Sequence, residues 1–89
     1  MPHAVTPVPT PNPNAWRFTF AEPALGPTSR SYPDAASAKG VAWAEKLFEI
    51  PGVVSLFGVN DFLTVTKTKE ATWEAVAPPV LDVLREADF

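Results

Sequence analysis

The distribution of apolar residues along the 89-residue chain indicates an α+β domain. Short segments with period-two alternation predict about four strands, and two longer segments with apolar residues at helical spacing predict two helices. Their order along the chain is ββαββα, which favours a small antiparallel or mixed sheet with both helices packed on one face. A chain of this length has room for one hydrophobic core, so a single domain is expected.

The clearest strand spans residues 16–20, where aromatic residues alternate with Arg17 and Thr19. The aromatic rings therefore share one face of the strand and the two polar side chains share the other. Residues 22–28 contain two prolines and a glycine and predict a loop. Residues 30–32 predict a short second strand.

Eight of the eleven prolines lie in the first 33 residues. Proline fixes φ and restricts the residue before it to extended geometry, so residues 1–9 are expected to form a flexible, polyproline-like arm. The single domain then covers residues 10–89. A ligand for a proline-recognising partner is the alternative interpretation of the arm, which also contains His3, the only histidine.

A first helix is predicted over residues 35–49, with Asp34 as its N-terminal cap. Gly40 lowers helix stability by about 1 kcal/mol relative to alanine, so the helix is expected to be firm from Val41 onward. The three tryptophans are expected to be buried or half-buried, with Trp43 the most exposed of them because smaller residues already fill much of the inner face of this helix.

A second helix is predicted from about Thr72 to Glu86, because its apolar residues recur at helical spacing. Thr72 is a suitable N-cap residue. Pro78 and Pro79 lie beyond the first turn and are expected to kink the helix or to delay its start.

Residues 53–57 and 62–67 predict two strands joined by a four-residue turn, because the turn segment contains glycine, asparagine and aspartate. With Phe57 paired to Phe62, the two rings share one face at the turn end of the hairpin. The opposite face then collects four aliphatic residues and is predicted to face the core: Val54, Leu56, Leu63 and Val65.

Composition excludes several classes of function. The chain has no cysteine, so it can form neither a thiolate nucleophile nor a cysteine-ligated zinc or iron–sulfur site, and its one histidine cannot build a histidine-based metal site. The net charge of −3, without a cluster of lysine and arginine, argues against nucleic-acid binding. The sequence shows no membrane-spanning run and no signal peptide, so a cytoplasmic location is expected.

Three motifs occur in order along the chain. The first is TPNPNA at residues 10–15, followed by Phe18 in the first strand. The second comprises LFEIPGV, LFG and DFLTVTK between residues 47 and 67. The third is Trp73 followed by Pro78. Together these motifs resemble the N-terminal domain of the Nfu/NifU scaffold-protein family. They occur in the family's order and extend over nearly the whole chain.

The resemblance implies an association with iron–sulfur cluster assembly or delivery. In this family the cluster chemistry belongs to a separate C-terminal domain with a CxxC pair, and the 89 residues contain no such pair. A non-enzymatic protein-interaction module that does not carry the cluster itself is therefore expected, without cofactor, metal ligand or catalytic residue. Its partners would be maturation factors or client proteins, and a monomer is favoured over a dimer. A small-ligand-binding module or an enzyme of unknown chemistry is the alternative.

The hairpin end supplies the candidate interaction surface. Exposed aromatic residues grouped with polar neighbours are typical of protein interfaces, whereas rings covered by helix ends or by the arm would form a satellite core. The surface comprises Phe57, Gly58, Asn60, Asp61, Phe62 and Thr64. Asn12 and Asn14 flank Pro13, and their side chains are expected to bond loop amides rather than a ligand.

Overall fold

In the computed structural model, which describes residues 4–87, five antiparallel strands form one sheet and the helices cover one of its faces. The predicted α+β class is confirmed. The strands lie in the order β1-β2-β5-β4-β3 across the sheet. Along the chain the elements are β1 (Val5–Pro9), β2 (Ala15–Phe20), β3 (Gly26–Tyr32), a 3₁₀ turn (Ala36–Ala38), α1 (Ala42–Phe48), β4 (Val53–Asn60), β5 (Phe62–Lys67) and α2 (Trp73–Glu86).

The fifth strand comes from the segment predicted to be an arm. Residues 5–9 pair with β2, with Val5 opposite Phe20, so the sheet begins ahead of residue 10. The extended backbone that proline imposes suits an edge strand as well as an unpaired arm, and local sequence does not distinguish the two. Residues 1–3, with His3, lie outside the described residues.

The prolines of β1 lie at positions whose N–H groups would not take part in the hydrogen bonds between β1 and β2. The N–H of Ala21 donates to the carbonyl of Ala4 at 3.0 Å, so every second residue from Ala4 turns its backbone groups toward β2. Pro7 and Pro9 occupy the intervening positions, whose backbone groups point away from the sheet. The outer edge therefore lacks two donors that another chain could pair with.

The hairpin of β4 and β5 is tighter than predicted. Val59 pairs with Phe62, which leaves a two-residue connection in which Asn60 adopts φ of 55°. The register differs from the predicted one by two residues, and an even shift leaves each side chain on its predicted face. Leu56, Leu63 and Val65 are buried in the core as expected. Val54 is not, because a register irregularity follows Val53 and leaves Val54 42% exposed.

Gly58 was predicted to lie in the turn and instead lies within β4, opposite Leu63 on the covered face. A Cβ atom at this position would be 2.6 Å from Cδ1 of Leu25 and 2.8 Å from Cδ1 of Leu63. Both leucines are buried. Glycine is required here because Leu25 packs directly on the strand backbone.

The first predicted helix is divided at Gly40, where φ is +91°. A 3₁₀ turn precedes the break, and Oδ1 of Asp34 accepts a hydrogen bond from the Ser37 N–H at 2.9 Å. Helix α1 starts just after Val41, as expected. Trp43 was predicted to be the most exposed tryptophan and is instead the most buried. It is 5% exposed and meets Tyr32 edge-on at 5.8 Å, because β3 extends far enough to place that ring beside α1.

Helix α2 begins at Trp73 directly after Thr72, so the two prolines do not delay its start. Pro78 is exposed, and Pro79 is half-buried. The hydroxyl of Thr72 makes no capping hydrogen bond. The inner face of the helix joins the same core as the covered face of the sheet through Val76, Ala77, Val80 and Leu84.

The close approach at Gly58 predicts that Gly58→Ala lowers the free energy of unfolding by about 1–3 kcal/mol, the usual cost of overpacking a core. Urea unfolding measures this cost, and Ser55→Ala on the same strand is the control. A Leu25→Ala background removes the nearer of the two crowding side chains, so the cost of the added methyl should fall. An equal cost in both backgrounds would contradict the packing argument.

Candidate functional site

The face of the sheet turned away from the helices, which we call the open face, is the candidate site. Residues that pair across antiparallel strands share a face, so the observed register assigns its members. It combines hydroxyl, aromatic and aliphatic side chains with one arginine: Thr6, Val8, Ala15, Arg17, Thr19, Ser31, Ser55, Phe57, Val59, Phe62, Thr64 and Thr66.

One row of paired residues crosses the whole open face. Val8 pairs with Arg17, Arg17 with Thr64, Thr64 with Phe57, and Phe57 with Ser31. Val8 and Phe57 are 41% and 43% exposed. They are three strand spacings apart, about 14 Å, with Arg17 and Thr64 between them. The row therefore places one exposed apolar side chain on each side of a polar centre.

Phe57, Phe62 and Arg17 form a cluster at the middle of this face. The ring centroids of Phe57 and Phe62 lie 6.4 Å apart at 44°. The guanidinium carbon of Arg17 lies 4.6 Å from the centroid of Phe62, a cation–π contact. The satellite-core alternative needs a covering element, but within residues 4–87 the helices pack on the other face and Phe57 stays exposed.

The structure brings together some residues of the predicted surface and separates others. Phe57, Phe62 and Thr64 lie side by side on the open face. Asn60 and Asp61 lie at the hairpin tip, where their backbone carbonyls accept hydrogen bonds from the N–H groups at positions 25 and 20, at 3.0 and 2.6 Å. Gly58 lies on the opposite face under Leu25 and does not belong to the surface.

Sequence reasoning missed Arg17 and Val8 as members of the site. The alternation in residues 16–20 already placed Arg17 on the polar side of its strand. The missing information was the pairing of β2 with β5, which connects residues almost 50 positions apart and leaves no local signal.

A second cluster, made of hydrogen-bonded side chains, stabilises the loop between β1 and β2. Asn14 donates its backbone N–H to Oδ1 of Asn12 at 3.0 Å, the expected Asx turn. Oδ1 of Asn14 accepts a hydrogen bond from Nζ of Lys67 at 3.1 Å. Lys67 is 8% exposed and also donates to the carbonyl of Thr68 at 3.2 Å. The loop asparagines thus satisfy a loop amide and a buried ammonium group.

Trp73 ties the same loop to the start of α2. Its Nε1–H donates to the carbonyl of Pro13 at 3.0 Å, and its ring stacks on Trp16 with centroids 4.6 Å apart. Nζ of Lys67 lies 5.7 Å from the centroid of the Trp73 ring. The first and third sequence motifs therefore meet in space around Lys67.

Two structural features are absent from the described residues. Within residues 4–87, no three histidine, aspartate or glutamate side chains converge as metal ligands would. Neither helix in this part of the chain is long and apolar enough to cross a membrane.

An antiparallel sheet with helices on one face and an exposed, mixed apolar and polar surface on the other defines an α+β domain with a surface suited to binding. The chain belongs to the family described as scaffold protein Nfu/NifU N terminal, whose model matches residues 5–88. The match includes β1, in agreement with its place in the sheet. The resemblance carried by the three motifs is confirmed.

Curated relatives are longer proteins. The chain is 35% identical over 77 residues to NifU-like protein 5, mitochondrial, of Arabidopsis thaliana, covering 86% of this chain and 28% of the relative. It is 39% identical over 72 residues to the NFU1 iron-sulfur cluster scaffold homolog, mitochondrial, of Homo sapiens, covering 80% and 28%. The chain thus spans little more than a quarter of the length of these relatives.

Solved structures share the fold over most of the chain. The crystal structure of protein SAV1430 from Staphylococcus aureus matches with a TM-score of 0.76 and 34% identity, covering 93% of this chain and 98% of that one. The solution structure of a NifU-like protein from Saccharomyces cerevisiae matches with a TM-score of 0.82 and 26% identity, covering 96% and 77%.

The Asn14–Lys67 hydrogen bond predicts a thermodynamic coupling. Asn14→Ala leaves the buried ammonium with one acceptor fewer and should lower the free energy of unfolding by about 1–3 kcal/mol, measured by urea unfolding. In a Lys67→Met background, which removes the ammonium and keeps an unbranched apolar chain, the same substitution should cost clearly less. Additive costs in the two backgrounds would show that the bond contributes nothing.

Proposed function

We propose that this domain is a non-enzymatic docking module in iron–sulfur cluster assembly or delivery, and that it binds a maturation factor or client protein through the open face. The observation that carries the proposal is the exposed Phe57 beside Phe62 on a sheet face that no described element covers. Burial of such a ring on docking removes apolar area from water, at about 25 cal/mol for each Å².

At β1, one of the two edges of the sheet, docking through the face is favoured over strand addition. A partner that adds a strand needs a row of free donors and acceptors. At β1 the outward positions carry Pro7 and Pro9, which have no N–H. The face, by contrast, offers aromatic, aliphatic and hydroxyl groups across five strands.

The link to iron–sulfur clusters comes from the relatives, one of which is named as an iron-sulfur cluster scaffold homolog. The cluster is cargo in this proposal. The 89 residues contain no cysteine, so thiolates that hold a cluster would come from outside them. The domain's contribution is then recognition of the protein that gives or receives the cluster.

Three expectations from the sequence stay predictions: the cytoplasmic location, the monomeric state and the absence of enzymatic activity. The relatives in Arabidopsis thaliana and Homo sapiens are named as mitochondrial. A small-ligand-binding or enzymatic role stays the alternative.

Affinity capture with matched variants tests the docking role. The unmodified chain should enrich iron–sulfur assembly or client proteins from a lysate, and Phe57→Ser should lower that enrichment about fivefold or more. Ala75→Ser is the control, because Ala75 is exposed on α2, which packs on the other face of the sheet. Circular dichroism establishes that both variants fold. Absence of iron–sulfur proteins from the captured set, or equal loss with both variants, would refute the proposal.

Reconstitution tests the proposal that the chain does not carry a cluster. Purified protein incubated anaerobically with iron and sulfide and then desalted should stay colourless, with no visible absorption. A cysteine-bearing scaffold protein treated in parallel is the positive control. Stable, stoichiometric cluster binding by the isolated chain would overturn this part of the proposal.

A further inference from the structure

We propose that the open face recognises a carboxylate set between apolar side chains on a partner protein, with Arg17 binding the carboxylate and with Val8 and Phe57 contacting the apolar groups. The inference deepens the proposed function, on which it rests for the existence of a docking partner. It adds the chemical character of that partner's surface.

Charge is unevenly distributed over the chain. The five strands contain no aspartate or glutamate, although the whole chain carries ten acidic residues and a net charge of −3. The three cations of the strands are Arg17, Arg30 and Lys67. Lys67 is buried, and Arg30 is half-buried with Nη2 3.4 Å from the carbonyl of Leu25. Arg17 is thus the exposed charge of the sheet.

Arg17 is placed to bind an anion from outside. Within the described part of the chain its guanidinium makes no ion pair, and its partner is the ring of Phe62. A contact over a ring restrains the guanidinium and leaves its in-plane N–H groups to donate. Two parallel N–H donors match the two oxygens of a carboxylate.

The neighbours of Arg17 define the rest of the partner surface. Val8 lies one strand away on one side, and Phe57 lies two strands away on the other, at about 5 and 10 Å. Thr64, between Arg17 and Phe57, supplies a half-buried hydroxyl. A partner with a carboxylate flanked by apolar groups buries both exposed hydrophobic side chains and pairs the charge at the same time.

A second copy of the chain fits this surface poorly. Two open faces packed together would bring two Arg17 side chains into one interface, with no strand carboxylate to balance them. Nucleic acid also fits poorly, because one exposed arginine does not make the basic stripe that phosphate backbones require.

Selection from a library of random dodecapeptides tests the inference without assuming a partner. The immobilised 89-residue chain, at physiological salt, should enrich peptides that contain aspartate or glutamate flanked by aromatic or aliphatic residues. Arg17→Gln should weaken binding of the selected peptides about tenfold, and Arg17→Lys should weaken it less. Lys39→Gln, which removes an exposed charge from a loop, is the matched control and should change nothing.

A double-mutant cycle locates the carboxylate. Replacing the acidic residue of a selected peptide by its amide should cost the same factor as Arg17→Gln, and the two changes together should cost no more than either alone. Additive costs, a consensus without an acid, no enrichment, or a dimer in sedimentation that Phe57→Ser dissociates would each overturn the inference.

The outcomes also separate this inference from the proposed function. Binding of acidic peptides through Arg17, combined with no capture of iron–sulfur proteins, would refute the cluster-assembly role and leave the recognition chemistry standing. Capture of such proteins that depends on Phe57 but not on Arg17 would refute the recognition of a carboxylate by Arg17 and leave the proposed docking role standing.

Discussion

Strands β2 and β5 pair at the middle of the sheet, and most of the structure depends on this contact. On the covered face it places Phe18 opposite Leu63, and both side chains are fully buried beneath the helices. On the open face it places Arg17 opposite Thr64. One backbone ladder therefore closes the core between distant parts of the chain and forms the centre of the open face, because alternate residues of a strand point to opposite faces.

Burial on one side leaves the other face of the sheet uncovered by the described helices. Both helices contribute to a single core on the covered face, and the strands keep hydroxyl, aromatic and arginine side chains on the other. The prolines of β1 remove donors from one edge of the sheet. The open face is thus chemically mixed, and the loop cluster around Lys67 holds the N-terminal strands to the start of α2.

Local patterns predicted well wherever side-chain periodicity was the signal. The faces of β2 and of the hairpin followed from alternation, so Phe57 and Phe62 were correctly placed on the side away from Leu56. The misassignments share a cause. Strand β1, the burial of Trp43 and the strand position of Gly58 each depend on a contact with a residue from another element, which no local pattern contains.

The sequence by itself determined the fold class, the family and the absence of thiolate chemistry, because each of these follows from composition, short-range periodicity or motif order. Only the tertiary structure decided which exposed residues are neighbours on the surface. Val8, Arg17 and Phe57 are neighbours in one row across the sheet although they come from three separate strands. Their adjacency results from strand order and register, which are set by the free energy of packing the whole core.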